Sequence, residues 1–167
     1  RFRGLPEKFY RDWLQVAQEE ALHFTLIREH LRKLGIDYGD LPAHQGLWEH
    51  AQDTADDLLS RLAIIPRCME ARGLDVTPGM IEKIRMLKDD AGVKILERIL
   101  NDEQQHVQFG SQWFYQQCHK QQLEPEASFK MLVLKYFNNT KPKGPFNTPM
   151  RLKAGFTENE LAWLEEQ

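Results

Sequence analysis

Cysteine is scarce: Cys68 and Cys118 are the only two in 167 residues. Their separation fits neither a disulfide framework nor a zinc-ligand spacing, so both are expected as reduced thiols of a cytoplasmic protein. Long apolar runs are missing, and none approaches the ~20 residues that a membrane-spanning helix requires. Neither sign of charge dominates: 22 Lys and Arg stand against 25 Asp and Glu, a net −3. That balance argues against a wholesale nucleic-acid binder while allowing a local basic patch. Alternating apolar and polar residues over strand length are also missing, which removes the half-buried sheet from consideration. The opening "RFRGLPEKFYRDW" has no initiator Met and no secretory apolar core. It reads as the start of an N-terminally truncated fragment.

What is present is helical periodicity. A composition of 41% hydrophobic and 28% charged residues suits one ordinary domain over 1–167. Pro6 opens a first helix that runs to about Leu34 and ends at Gly35. A second is expected over 47–71, kinked at Pro66 and stopped by Gly73. Thr77 then reads as an N-cap, with Pro78 at the first position of a short helix to about Lys88. Beyond Asp89 and Asp90 a long helix continues through Lys120, and a further one follows Pro125. Residues 138–156 read as an irregular basic arm, before a capping box from Thr157 to Glu160. The expected architecture is an all-α bundle with C-terminal additions.

Two stretches carry chemistry. In "QEEALHF" Glu20 precedes His23 by three residues, and in "NDEQQHVQFG" Glu103 precedes His106 by three. On a helix such pairs share one face and can reach one point. The first lies on a stripe of Trp13, Val16, Glu20, His23, Ile27, His30 and Leu34. The second lies on Leu96, Ile99, Glu103, His106, Gly110 and Trp113. A carboxylate in an apolar seam costs several kcal/mol unless it is paired, hydrogen-bonded or bound to a metal. One Glu-x-x-His is common by chance; two on the seams of long helices match the carboxylate-bridged di-iron bundles, where two further helices give one Glu each. Glu70, in line with Leu59, Ala63 and Pro66, is the candidate for one of those, and a plain exposed carboxylate at a helix end is its alternative reading. Glu19 and Asp102 rotate ~100° away from the ligand face and read as partners that support the ligands or as solvated groups. His30 reads as a core histidine bonded to a carboxylate. Carboxylate with imidazole suits iron or manganese.

The segments "EEALHF", "IIPRCMEARGLDVTP", "NDEQQHVQFGSQWF" and "KPKGPFNTPMRLKAGF" resemble a bacterial ferritin-like family, domain-of-unknown-function family 455. The ligand pattern is more distantly similar to the di-iron tRNA hydroxylase family. The resemblance implies a ferritin-like four-helix bundle with two iron ions, or manganese, held by Glu20, His23, Glu70, Glu103 and His106. It also implies a first ligand helix ahead of "RFRGLPEKFY", bringing a fourth carboxylate. Charge points the same way, since Glu20, Glu70 and Glu103 leave two divalent ions one short of neutrality.

The expected function is an oxygen-dependent oxidase or hydroxylase acting on a small molecule or a modified nucleoside. A ferroxidase that handles iron without an organic substrate, and a metal-free helical interaction module, are the other classes. Nucleic acid enters only through Lys130, Lys135, Lys141, Lys143, Arg151 and Lys153, interleaved with Tyr136, Phe137 and Phe146. Basic and aromatic residues in that mixture grip single strands, or simply form an arm whose rings pin it down.

Overall fold

The structure, a computed structural model, describes residues 1–166. Among the described residues every regular element is helical and no strand occurs. Helix α1 spans Glu7–Lys33, with Pro6 just before it in an extended conformation (φ −56°, ψ 146°). Its end is closed by Gly35 at φ +84°. Gly35 N–H reaches the Arg32 carbonyl (3.1 Å) and Ile36 N–H reaches Leu31 (3.0 Å), the paired bonds of a Schellman motif. Only glycine takes that backbone without a Cβ penalty.

The buried line of α1 differs from the expected stripe. Phe9, Asp12, Val16 and His23 are its buried residues, whereas Ile27 and Leu34 are exposed. Phe9, Val16, His23 and His30 lie seven apart, and a heptad line drifts only ~20° per repeat on a straight helix. Trp13, Glu20, Ile27 and Leu34 form the neighbouring line, so they flank the buried one.

The second expected helix is broken into pieces. Helix α2 is Gly46–Asp53 and α3 is Leu58–Ile64, separated because Asp57 caps α3. Its carboxylate accepts from Leu59 N–H (3.2 Å) and Ser60 N–H (3.1 Å), an alternative to continuing the helix. The disturbance expected at Pro66 takes the form of a π-helical turn, Ile65–Glu70. From there α4 runs Ala71–Met86 straight through Gly73, Thr77 and Pro78. The stop at Gly73 and the restart at Thr77 therefore do not occur. Pro78 offers no N–H to the Leu74 carbonyl one turn back. The Asn147 side-chain amide donates to that carbonyl instead (3.1 Å), and the helix survives its proline.

Helix α5 is Asp90–Lys120, α6 is Pro125–Tyr136, α7 is Thr148–Lys153 and α8 is Glu158–Glu165. The expected arm thus contains a helix, α7, capped by Asn147 on Met150 N–H (3.3 Å). The capping box at Thr157 and Glu160 is formed. Arg151, counted among the arm's cations, is 2% exposed. It binds both Asp75 oxygens, Nε to Oδ1 at 2.9 Å and Nη2 to Oδ2 at 2.8 Å. Lys141 donates to the Trp163 carbonyl at 2.7 Å. Two of the six expected phosphate contacts are therefore committed internally.

The chain divides into two compact units, and the division falls inside the continuous helices α4 and α5. One unit takes Arg1–Gln45 with Val76–Asp102; the other takes Gly46–Asp75 with the chain from Glu103 onward. In the second, α3 packs on α6 and α6 on α8. Phe129 is its hub, edge-on to Phe114 (6.2 Å), Phe156 (5.8 Å) and Trp163 (6.5 Å). Each buried phenylalanine stabilises the unit by about 1.5–3 kcal/mol. Cys68 and Cys118 are buried free thiols, and burial pushes them up to about 12 and about 11. Both stay protonated and unreactive. No helix among the described residues is long and apolar enough to cross a membrane.

Candidate metal centre

In the first unit α1 carries Glu20 and His23. The imidazole is 4% exposed, while nearly half of the Glu20 side chain is open to solvent. His23 Nδ1 faces Glu20 Oε1 at 3.4 Å, and Nε2 lies 3.1 Å from Asp102 Oδ2. Asp102 also accepts from Arg98 Nε at 3.1 Å. Burial works to raise the Asp102 carboxyl, but the bonds to His23 and Arg98 outweigh it and hold it below the usual range. Asp102 therefore fixes the ring through Nε2 and leaves Nδ1 on the Glu20 side. A carboxylate behind a histidine is the usual way of orienting a metal-binding imidazole. His30, as expected, is a carboxylate-bound histidine: Nε2 meets Asp89 Oδ2 at 2.6 Å.

In the second unit α5 carries Glu103 and His106. His106 is wholly buried, and its Nδ1 stands 3.7 Å from Glu103 Oε2. Glu70 closes the π-helical turn and is partly buried. One close approach and one ordinary contact set that turn and the start of α4 against α5. A Cβ on Gly110 would lie 2.4 Å from Pro66 Cβ, and one on Gly73 would lie 3.9 Å from Glu103 Cγ. Pro66 to Gly73 spans as many residues as Glu103 to Gly110, so the two segments run antiparallel in register. That register sets Glu70 level with His106.

Three of the five expected ligands, Glu70, Glu103 and His106, thus share one stretch of the second unit. Glu20 and His23 share one face of the first. Glu19 accepts from Gln15 (3.0 Å). Sequence reasoning passed over Arg67 and saw Glu160 only as half of a capping box. Both are fully buried and joined Nη2 to Oε2 at 2.7 Å. The signal was available, since an arginine inside the apolar run "AIIPRCM" needs a partner. Tyr115, one turn beyond Ser111, donates to Glu160 (3.1 Å), and burial pushes its phenol up to about 12.

The model of the family described as "Protein of unknown function (DUF455)" matches residues 1–162. A Haemophilus influenzae protein described as uncharacterized is 49% identical over 158 residues, covering 95% of this chain. The chain spans about half the length of that relative, 54%. No solved structure matches. The match along nearly the whole chain and the near-half identity to that relative lead to one conclusion: the chain belongs to the DUF455 family.

Proposed function

We propose that this chain is a metal-dependent oxidoreductase of ferritin-like four-helix architecture. Glu20, His23, Glu70, Glu103 and His106 hold its metal, and iron or manganese suits those donors. The reading is supported by one observation above others: Glu103 and the wholly buried His106 stand one turn apart on α5, Nδ1 3.7 Å from Oε2, with partly buried Glu70 on the neighbouring stretch of the same unit. Two carboxylates neutralise one divalent cation, and the buried imidazole adds a donor without adding charge.

A pair of reduced irons supplies dioxygen chemistry when bound. The chain's own part is to hold donors and exclude water. Asp102 keeps His23 in one tautomer, with the proton on Nε2 and Nδ1 left for metal. Complete burial of His106 does the same work by packing, since a ring with no room to turn presents one edge only. Together these groups meet the cation with donors already oriented, which lowers the ordering cost of binding.

Dioxygen uptake by protein loaded anaerobically with Fe(II) is the test. An oxidase or hydroxylase consumes oxygen continuously when a reductant is supplied. A single burst matched to the iron added is the behaviour of an iron-handling protein, and no uptake above free iron rejects both. A metal-free interaction module is the second reading. It is favoured by the His23–Asp102 and His30–Asp89 pairs, which already join α1 to α5 and to the residue just before it.

A further inference from the structure

The π-helical turn that carries Glu70 is built around a charged side chain with no access to water. Arg67 is 0% exposed and its guanidinium lies over four rings: Phe129 at 4.4 Å, Phe156 at 4.6 Å, Phe114 at 4.8 Å and Tyr115 at 5.2 Å. Nη2 donates to Glu160 Oε2 (2.7 Å), and Nε donates to Ser111 Oγ on α5 (3.2 Å). Glu160 is itself held, accepting from Thr157 N–H (3.0 Å) and Tyr115 O–H (3.1 Å). Pairs of this kind add little net stability, because desolvating both ions offsets their attraction. Apolar residues would serve a core at least as well. What a directional pair adds is one fixed geometry.

We propose that Arg67 and Glu160 are positioning residues that lock the π-helical turn in the phase presenting Glu70 level with His106. This inference rests on the metal-binding reading above. A π turn holds one residue more per hydrogen-bonded ring than an α turn. Relaxing it to α winding would swing Glu70 by ~100° about the helix axis. Two wedges prevent that. Pro66 is seated against Gly110, where a methyl group would not fit. Arg67, one residue on, is tied to α5 through Ser111 and to the start of α8 through Glu160. Glu70 follows within the same turn, so its direction is set by groups it need not touch.

The test is Co(II) binding to the full-length protein, followed by its visible d–d spectrum alongside a thermal melt. Glu160→Gln alone leaves Arg67 charged and uncompensated and can unfold the unit. The main variant is therefore the double replacement Arg67→Met with Glu160→Met, which removes both charges and keeps the volume apolar. It is expected to melt near wild type yet to bind Co(II) about tenfold or more weakly, with an altered spectrum. A milder variant, Tyr115→Phe, removes one bond to Glu160 and is expected to stay folded, melting a few degrees lower, and to weaken Co(II) binding by about threefold. Wild-type affinity and spectrum in either folded variant would overturn the inference. Glu103→Gln separates the two layers of argument. If wild type binds no Co(II), or Glu103→Gln binds it equally well, the metal reading falls and this inference with it. If only Glu103→Gln loses binding, the positioning role alone is refuted.

Discussion

Replacing Gly110 with alanine adds one methyl group to α5 at the point where the π-helical turn crosses it. In the interior of an exposed helix the change would stabilise by roughly 0.5–1 kcal/mol, because alanine has less backbone entropy to lose. Here the new Cβ would stand 2.4 Å from Pro66 Cβ and 2.5 Å from its Cγ. Ordinary carbon–carbon contact is ~3.5–4.0 Å, so the turn must retreat by about an ångström. Neither side can yield by rotating a side chain, since one atom is a Cβ and the other belongs to a ring. Forcing extra volume into a packed core costs about 1–3 kcal/mol, which outweighs the propensity gain. The variant should be destabilised by roughly 1–2 kcal/mol and melt about 2–8 °C lower. Thermal unfolding followed by circular dichroism, with urea unfolding as the second probe, measures this. Gly110→Ala at or above wild-type stability would refute the register from which Glu70 is set level with His106.

Three further outcomes follow from the same reasoning. Asn147→Ala removes the cap on Met150 N–H and the donor that serves the Leu74 carbonyl below Pro78, and should cost about 1–2 kcal/mol in urea unfolding. Asp75→Asn breaks the buried pair with Arg151 and leaves a 2% exposed guanidinium uncompensated, so a loss of about 3–5 kcal/mol is expected by the same assay. The Asp89 carboxyl is held below its usual range, chiefly by the Gly92 N–H, with His30 assisting against desolvation. Its contribution is therefore present above the ordinary carboxylate pKa of ~3.9 and lost as pH falls through the lower folded value. Asp89→Asn should be less stable than wild type near neutrality, and the gap should close in acid. A gap that widened below pH ~4 would contradict the assignment.

Much of the fold was legible because helical periodicity is local. The ends of α1, α5 and α6, the capping box at Thr157 and the disturbance at Pro66 could each be read from a few neighbouring residues. Where the reading failed, a distant side chain decided. Thr77 and Pro78 look like a helix start, and nothing near them shows that Asn147 will serve the carbonyl that Pro78 abandons. Asp57 broke the second helix by offering its carboxylate to Leu59 and Ser60 more favourably than the helix could. The stripe expected on α1 joined two partly apolar heptad lines, one through Val16 and one through Glu20, and the line through Val16 is the buried one.

The candidate site divides in the same way. Glu-x-x-His spacing announced Glu20, His23, Glu103 and His106, since both partners of each pair lie within one helical turn. Glu70 needed a second helix to give it meaning, and its level with His106 depends on the seat of Pro66 against Gly110. Asp102 and Arg67 were visible as residues, but the groups they meet were not. One was read as a partner of the ligands or a solvated group, and the histidine it meets comes from α1. The other stands in an apolar run whose counter-charge lies 93 residues further along the chain.

The most direct check is the metal content of protein purified anaerobically with Fe(II), compared with Glu103→Ala prepared in parallel. Ligation by the paired Glu-x-x-His residues requires at least one ion per chain, ~2 for a di-iron centre, with clear loss in the variant. Metal below ~0.5 per chain, unchanged by removing Glu103, would contradict it and leave the buried histidines as partners of carboxylates alone.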